Sequence, residues 1–567
     1  MEKIIRIDMT ERRVTTENTP ADYQILGGRG LSARILNREV PALAHPLGSE
    51  NKLIVAPGLL AGTMAPSFGR ISFGAKSPLT YTIKESNAGG TAAQKLDRLG
   101  IKAIIIQGKP KDDQGHILLI GPRETKLLPA PELSGKMNYE VVSLLQGRYG
   151  KDIGVISIGP AGEERMTAST IAVTDQDGRP SRHAARGGLG AVMGSKGIKA
   201  MVINAEDATV AETKDREAFK EKVKELIETL RQDKGYQSLS RFGTPGAIKH
   251  LSQLGSMPSW NYHGGTVKGI ENLYGDRIAQ VNQNRGGRMH GCMPGCMVQC
   301  SIVFHGDDGT HLTSALEYET LAMLGTNLAI TNLDAIAHMD RMCDELGVDT
   351  IEVGSAIAQV MEAGAIPFGD EQRVLEILKA IGEGALLGRV VGQGAAFTAH
   401  YFGLDRVPTA KGQAIPAHDP RACKAVGVTY CVSPMGADHT AGIDYGEPLS
   451  KEGKVKTSRD KQVLMAANDS MGYCFLAMPS NWSLMYEVFA KLINARYGTD
   501  LKADDITNMG IATLREEFSF NRSAGWTDVH NRLPEFMKTE KLPPHDVVFD
   551  IPQDEIDALF EDFSGRL

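Results

Sequence analysis

Residues 290–301 read HGCMPGCMVQCS and place three thiols, Cys292, Cys296 and Cys300, at spacings of four. That spacing lines one face of a regular helix, but Pro294 and Gly295 interrupt a helix here. A looped chain can instead fold the three sulfurs around one centre. Thiolates are soft ligands, suited to an iron–sulfur cluster or to zinc. A four-coordinate zinc site with a distant fourth ligand satisfies the spacing equally well. Buried cysteines without a ligand are the plain alternative. Candidates for a fourth ligand are Cys343, Cys423, Cys431 and Cys474.

Outward from the cysteines, two segments share the pattern D-x-x-G-x-[DC]. DELGVD runs from Asp344 to Asp349 and DSMGYC from Asp469 to Cys474. Each follows an apolar-periodic helix that its glycine can end. Two like elements could bind two like halves of one ligand, although short patterns also recur by chance.

The 567-residue chain has 62 glycines, an excess suggesting tight turns and close backbone approaches. Its net charge of -7 and pI near 6.1 give no support to a nucleic-acid-binding surface. The start MEKIIRIDMTERRVTTENTP lacks a signal-peptide apolar region, and no stretch is long enough to span a membrane. Seven cysteines, three of them crowded together, do not resemble a secreted disulfide framework, so a cytoplasmic location is expected.

Residues 1–205 read as strand-rich, with MEKIIRIDM, KLIVAPGLL, GRISFGAK, IKAIIIQG, GHILLIG, DIGVISIG and IKAMVINAE as strands. NAGGTAAQKLDRLG and NYEVVSLLQGRYG read as short helices between them. GGRG and GGLG are taken as bare glycine clusters, not as helix-opening fingerprints, which argues against an all-parallel Rossmann sheet. After Ala205, DREAFKEKVKELIETLRQDKG opens a helical region, 206–408, that includes DEQRVLEILKAIGEGALLGRVVGQ. VPTAKGQAIPAHDP is expected to join it to a third region, 409–567, which ends in a helix PQDEIDALFEDF. The expected class is α+β: a mixed-sheet domain followed by two mainly helical ones. No solenoid repeat is visible.

With the cysteine and D-x-x-G elements, the sequence resembles the aldehyde:ferredoxin oxidoreductase family of tungsten- or molybdenum-pterin enzymes. YQILGGRGLSARIL, GRISFGAKSPLT with ESNAGG, RHAARGGLGAVMGSKGIKA and HDPRACKAVGVTYCVSPMGADHTAG match in the family's order. The resemblance implies a bispterin resting on the N-terminal sheets. It implies that Arg70, Asn87, Gly89, Arg186 and Gly187 touch the pterins and their phosphates. Asp344, Asp349 and Asp469 belong to its pterin motifs, and Cys474 would join Cys292, Cys296 and Cys300 as ligands of one [4Fe-4S] cluster. Arginine can grip a phosphate bidentately, and glycine exposes backbone N–H groups.

The catalytic residues it implies are Glu319, with Glu317 as the competing choice, and His439. Burial is expected to raise the Glu319 pKa toward the working range of a general base, while His439 meets the substrate oxygen. A helix-start acid and a structural histidine are the blander readings. The implied reaction is oxidation of an aldehyde to a carboxylate, with electrons leaving through the cluster to ferredoxin or a similar carrier. A reductase or non-aldehyde oxidoreductase is the alternative, and a zinc-stapled binding protein a more distant one. The C-x3-C-x3-C spacing departs from the best-known members. His338 lies in the helix LDAIAHMDRMCDELG without an E-x-x-H motif, so no interfacial iron is expected, and a homodimer stays open but loses that support.

Overall fold

The computed structural model describes residues 2–112, 114–208, 212–479 and 482–564. Its first sheet contains β1 (Lys3–Asp8), β2 (Arg13–Asn18), β3 (Leu53–Pro57), β4 (Ile71–Lys76), β5 (Ile83–Ala88) and β6 (Ile101–Gln107). The second contains β7 (His116–Ile120), β8 (Thr125–Pro129), β9 (Gly154–Ser157), β10 (Ile171–Val173), β11 (Arg182–Ala184) and β12 (Ile198–Ile203). The expected apolar runs all became strands. β2, β5, β8, β10 and β11 are additions, because their sequences are polar or very short.

The two sheets repeat one topology. The first runs β2-β1-β6-β3-β4-β5 and the second β8-β7-β12-β9-β10-β11. In each, one parallel pair (β1 with β6, β7 with β12) sits among antiparallel neighbours. Even an irregularity recurs: the register skips Lys102 in one sheet and Lys199 in the other. Both ammonium groups turn to a backbone carbonyl, of Gln24 and Lys136 respectively, at 2.8 Å.

The sheets' apolar faces share one core, where Ile5, Ile7, Val55 and Ile104 meet Leu118, Ile156, Val173 and Met201. Helices cover the outer faces: Gly28–Glu39 on one side through Leu31 and Ile35, Asn138–Tyr149 on the other through Val141 and Leu145. Each such side chain removed from water contributes about 1.5–3 kcal/mol.

Several expectations need correction. GGRG and GGLG do open helices, Gly28–Glu39 and Leu189–Ser195; the sheets are nevertheless mixed. DEQRVLEILKAIGEGALLGRVVGQ breaks at Gly384, whose φ of 66° ends the helix Glu371–Glu383 before Leu386–Gly392. The terminal helix is two short ones, Gln553–Asp557 and Glu561–Ser564. VPTAKGQAIPAHDP, expected only as a join between regions, forms the hairpin Thr409–Ala410 with Gln413–Ala414, and Gln413 through Arg421 are buried.

Two helices carry the D-x-x-G elements to the sheets. Leu333–Leu346 ends at Gly347 and Lys454–Met471 at Gly472, with φ of 70° and 74°. Their docking is also duplicated. Thr170 N–H, just before β10, donates to Gly347 O at 2.8 Å, and Arg70 N–H, just before β4, donates to Gly472 O at 3.2 Å. Contact is so close that a Cβ on Gly159 would lie 2.2 Å from Leu346 O. Among the described residues, no helix is long and apolar enough to cross a membrane.

Candidate active site

The two docked helix ends and the sheet edges enclose a cavity of about 780 Å³. Arg70, Asn87, Gly89, Arg186, Asp344, Asp349 and Asp469 line it, as do Glu317, Glu319, His439, Cys292, Cys300 and Cys474. Gly187 stands outside the wall: it makes a left-handed turn (φ 87°), and any Cβ there would strike the Lys84 side chain. Cys296 also stands outside the wall, half-buried behind it.

The cysteine stretch is a loop between the strands Arg288–His290 and Ser301–His305, turned at Gly295 with φ 73°. Ser67 ties it to the distant fourth thiol. Its N–H donates to Gly295 O at 3.1 Å, and its carbonyl accepts from Cys474 N–H at 2.9 Å. Cys292, Cys296, Cys300 and Cys474 thereby come close enough for every pair to interact electrostatically. Cys343, Cys423 and Cys431 lie in the helical core instead.

Hydrogen bonding from Cys292 holds Cys296 below its ordinary pKa. Burial pushes Cys300 and Cys474 up, against the pull of nearby arginines. Three buried thiols and a half-buried fourth are costly as anions without a cationic partner. Four thiols gathered from one loop and one distant helix end suit a metal centre of the soft kind that thiolates hold, an iron–sulfur cluster or zinc. Among the described residues, Glu319, His418 and His439 also bring donor atoms within 4.8 Å of one another.

Each half of the frame presents the same polar device. In the first, Asn87 Nδ2 donates to Asp469 Oδ1 at 3.1 Å while its carbonyl groups hold Arg70. In the second, His183 Nε2 lies 3.1 Å from Asp344 Oδ1 while Nδ1 meets the Thr170 hydroxyl at 2.7 Å. His183 is thus the counterpart of Asn87, since β4 pairs Ile71 with Ala88 and β10 pairs Ile171 with Ala184. Neither His183 nor Arg182 was singled out from the sequence.

Arg182 has unpartnered Nε and Nη2 atoms despite burial. Arg186, by contrast, is spent on protein: it donates to Asp349, Asp438 and the carbonyls of Ala414 and Ala437. Asp349 is also the N-cap of the helix Thr350–Glu362. Glu85 Oε1 and Asp344 Oδ2 are buried without partners. Buried polar atoms ordinarily find partners; these unpaired donors and acceptors, pooled in one large cavity, fit a bulky polar ligand with two like halves.

Glu319 lies in the first turn of the helix Tyr318–Met323, and Glu317 is its N-cap residue. Glu317 Oε2 accepts from the Thr244 hydroxyl at 2.5 Å, and Oε1 is 3.8 Å from Arg182. Glu319 Oε2 accepts from Ala417 N–H at 2.8 Å. Its Oε1 faces two imidazoles, His418 Nε2 at 3.1 Å and His439 Nε2 at 3.5 Å, neither in good hydrogen-bond alignment. Burial pushes the Glu319 pKa up, but His439 and His418 outweigh it and hold the group down to about 2. The expectation of a raised pKa is therefore wrong: burial was foreseen, the second imidazole was not. Burial lowers His439 to about 4 against the attraction of Glu319. At neutral pH the pair is a carboxylate beside an uncharged imidazole.

A duplicated sheet frame holding a polar cavity, four grouped thiols and a carboxylate–imidazole group has the makings of an enzyme with a thiolate-held metal centre. Residues 4–205 match the model of the aldehyde ferredoxin oxidoreductase N-terminal domain, and residues 221–563 match that of domains 2 and 3. The chain belongs to the aldehyde ferredoxin oxidoreductase family, and is an oxidoreductase. It is 30% identical to the tungsten-containing aldehyde ferredoxin oxidoreductase of Pyrococcus horikoshii, over 95% of this chain and 92% of that one. It is 26% identical to the WOR-like subunit of aliphatic sulfonate oxidoreductase of Pyrococcus furiosus, over 77% of this chain and 74% of that one. Its fold resembles that of the active-site complex BamBC of benzoyl coenzyme A reductase, with TM-score 0.82 and 18% identity, covering 99% of this chain and 93% of that chain.

Proposed function

We propose that this enzyme oxidises an aldehyde to a carboxylate and passes the two electrons to ferredoxin or a similar carrier. Tungsten- or molybdenum-bispterin would occupy the cavity, and one [4Fe-4S] cluster would be held by Cys292, Cys296, Cys300 and Cys474. When bound, these groups supply the two-electron oxygen chemistry and its conversion to single-electron transfer. The observation that carries the reading is the convergence of Cys292, Cys300 and Cys474, with Cys296 interacting with Cys292 and Cys474, and of Glu319 with His439 on one cavity.

The protein's own share is holding, orienting and proton handling. Asp469, Asn87 and Arg70 grip one half of the pterin group; Asp344, His183 and Arg182 grip the other. Carboxylates accept from ring N–H groups, and arginines and the Gly89 backbone donate to phosphate oxygens. Glu319, held low by the two imidazoles, stays a carboxylate beside His439. His439 Nε2 receives it, and the Glu319 carboxylate stabilises the imidazolium as it forms, the division of labour of a carboxylate–histidine pair.

Anaerobically purified protein should be brown and contain iron, tungsten or molybdenum, and pterin. A substrate panel with a viologen acceptor should then show aldehyde-dependent dye reduction. Colourless protein holding zinc would refute the cofactors; turnover of a non-aldehyde alone would move the substrate to another class.

A further inference from the structure

His418 sits in the buried segment once expected to be a connector, and its ring is clamped on every side. It stacks on Tyr318 with ring centroids 4.9 Å apart and planes 22° from parallel. The Tyr445 hydroxyl lies 3.2 Å from its Nδ1. The preceding residue, Ala417, accepts from the Tyr318 hydroxyl and donates its N–H to Glu319 Oε2. Glu319 is thus held on one oxygen by the backbone of Ala417 and approached on the other by the His418 side chain. The His418 and His439 rings are 5.3 Å apart. His439 is the more open, with 15% of its side chain exposed against 3% for His418.

We propose that His418 is a positioning residue for the reaction: it keeps Glu319 ionised and aimed at His439, so that the reaction's proton resides on His439. The proposal rests on the reading of Glu319 and His439 as the proton-handling pair. The surrounding groups leave His418 that role. Tyr262, Tyr318, Tyr430 and Tyr445 are kept uncharged by burial, and so is Cys423, which burial pushes up to about 12. Asp419 is paired with Arg421 at 2.7 Å, and Asp438 with Lys84 and Arg186. Glu319 is the carboxylate left facing the two imidazoles. Without His418, burial acts on Glu319 with one opposing imidazole fewer, and its carboxyl moves toward the protonated form.

The test compares His418→Phe and His418→Gln with the parent enzyme, after checking iron, metal and pterin contents. Infrared difference spectra against Glu319→Gln report protonation of Glu319 directly, whatever the turnover. The protonated carboxyl band of Glu319 should appear at a pH about one unit or more higher in H418F than in the parent, and H418F/E319Q should lack it. The acid limb of kcat should move up by about one pH unit or more in H418F, and by less in H418Q, which keeps an N–H donor. KM should stay constant.

An unchanged acid limb and an unshifted carboxyl band would reduce His418 to a packing role. A raised KM with constant kcat would make it a substrate contact. One stoichiometric divalent ion, lost in H418Q, would make it a metal ligand. Absence of aldehyde turnover in the parent would sink the substrate reading, while the infrared comparison would still decide this one.

Discussion

Gly58 and Gly472 meet backbone to backbone: a Cβ on Gly58 would lie 2.3 Å from the Gly472 Cα. Gly159 has the same relation to the end of the other motif helix, where its Cβ would lie 2.2 Å from Leu346 O. Backbone atoms cannot swing aside, so Gly58→Ala and Gly159→Ala should each push a helix end off its sheet. Overpacking of this kind costs about 1–3 kcal/mol. Both variants should melt earlier and retain less metal and pterin than the parent. Normal melting with full cofactor content would show that the docking tolerates a shift.

Cys474→Ala should lose the cluster or convert it to a three-iron form, visible by electron paramagnetic resonance and iron analysis. Cys343→Ala, Cys423→Ala and Cys431→Ala change buried core residues far from the loop and should keep the parent's iron. A four-iron spectrum in C474A would remove Cys474 from the ligand set.

Asp344→Ala and Asp469→Ala should lower metal and pterin occupancy together. Each removes the acceptor that its half of the frame holds out on Asn87 or His183. Full occupancy with selectively lost turnover would reassign these acids to chemistry.

Glu319→Gln preserves size but removes the charge that supports His439. Turnover should fall on the order of 10²–10⁴-fold with cofactor contents unchanged. Glu317→Gln should keep substantial activity, because Glu317 caps the helix and bonds Thr244. The reverse ranking would move the proton role to Glu317.

Glu85 supplies a pH test. Burial, reinforced by the charge of Asp469, raises its pKa from 4.5 to about 8. The folded state therefore binds a proton that the unfolded chain has already released in that window. Its contribution is fully present below the unfolded value and is lost as pH rises through about 8. As pH is raised from about 6 to about 9, the melting temperature of Glu85→Gln should gain on that of the parent. Parallel pH curves for the two proteins would contradict a protonated Glu85.

Much of the site was legible because its chemistry sits in contiguous residues. The cysteine loop and the DELGVD and DSMGYC elements carry their candidate ligands within a few positions, and all three elements reach one cavity, through Cys292 and Cys300, Asp344 and Asp349, and Asp469 and Cys474. Strands such as β6 were legible as apolar runs. β5, IKESNA, was not: it buries Lys84 and Glu85, which read as solvent-facing until a cavity and an ion pair are known. The duplication escaped the sequence because it is kept by hydrogen-bond register and glycine contacts, which few side chains report. His418 escaped because Pro, Gly and Ala around it signal a surface turn, whereas packing of the helices made that segment an interior wall.

The duplicated frame differs between its halves at the last position of the motif. Where DELGVD ends in Asp349, which caps a helix and holds Arg186, DSMGYC ends in Cys474, which faces three more thiols. A guest with two chemically identical halves would therefore lie between unlike neighbours, an ionic latch on one side and sulfur on the other. Its halves would become inequivalent, distinguishable by spectroscopy and by reactivity, so that such a guest would have a front and a back.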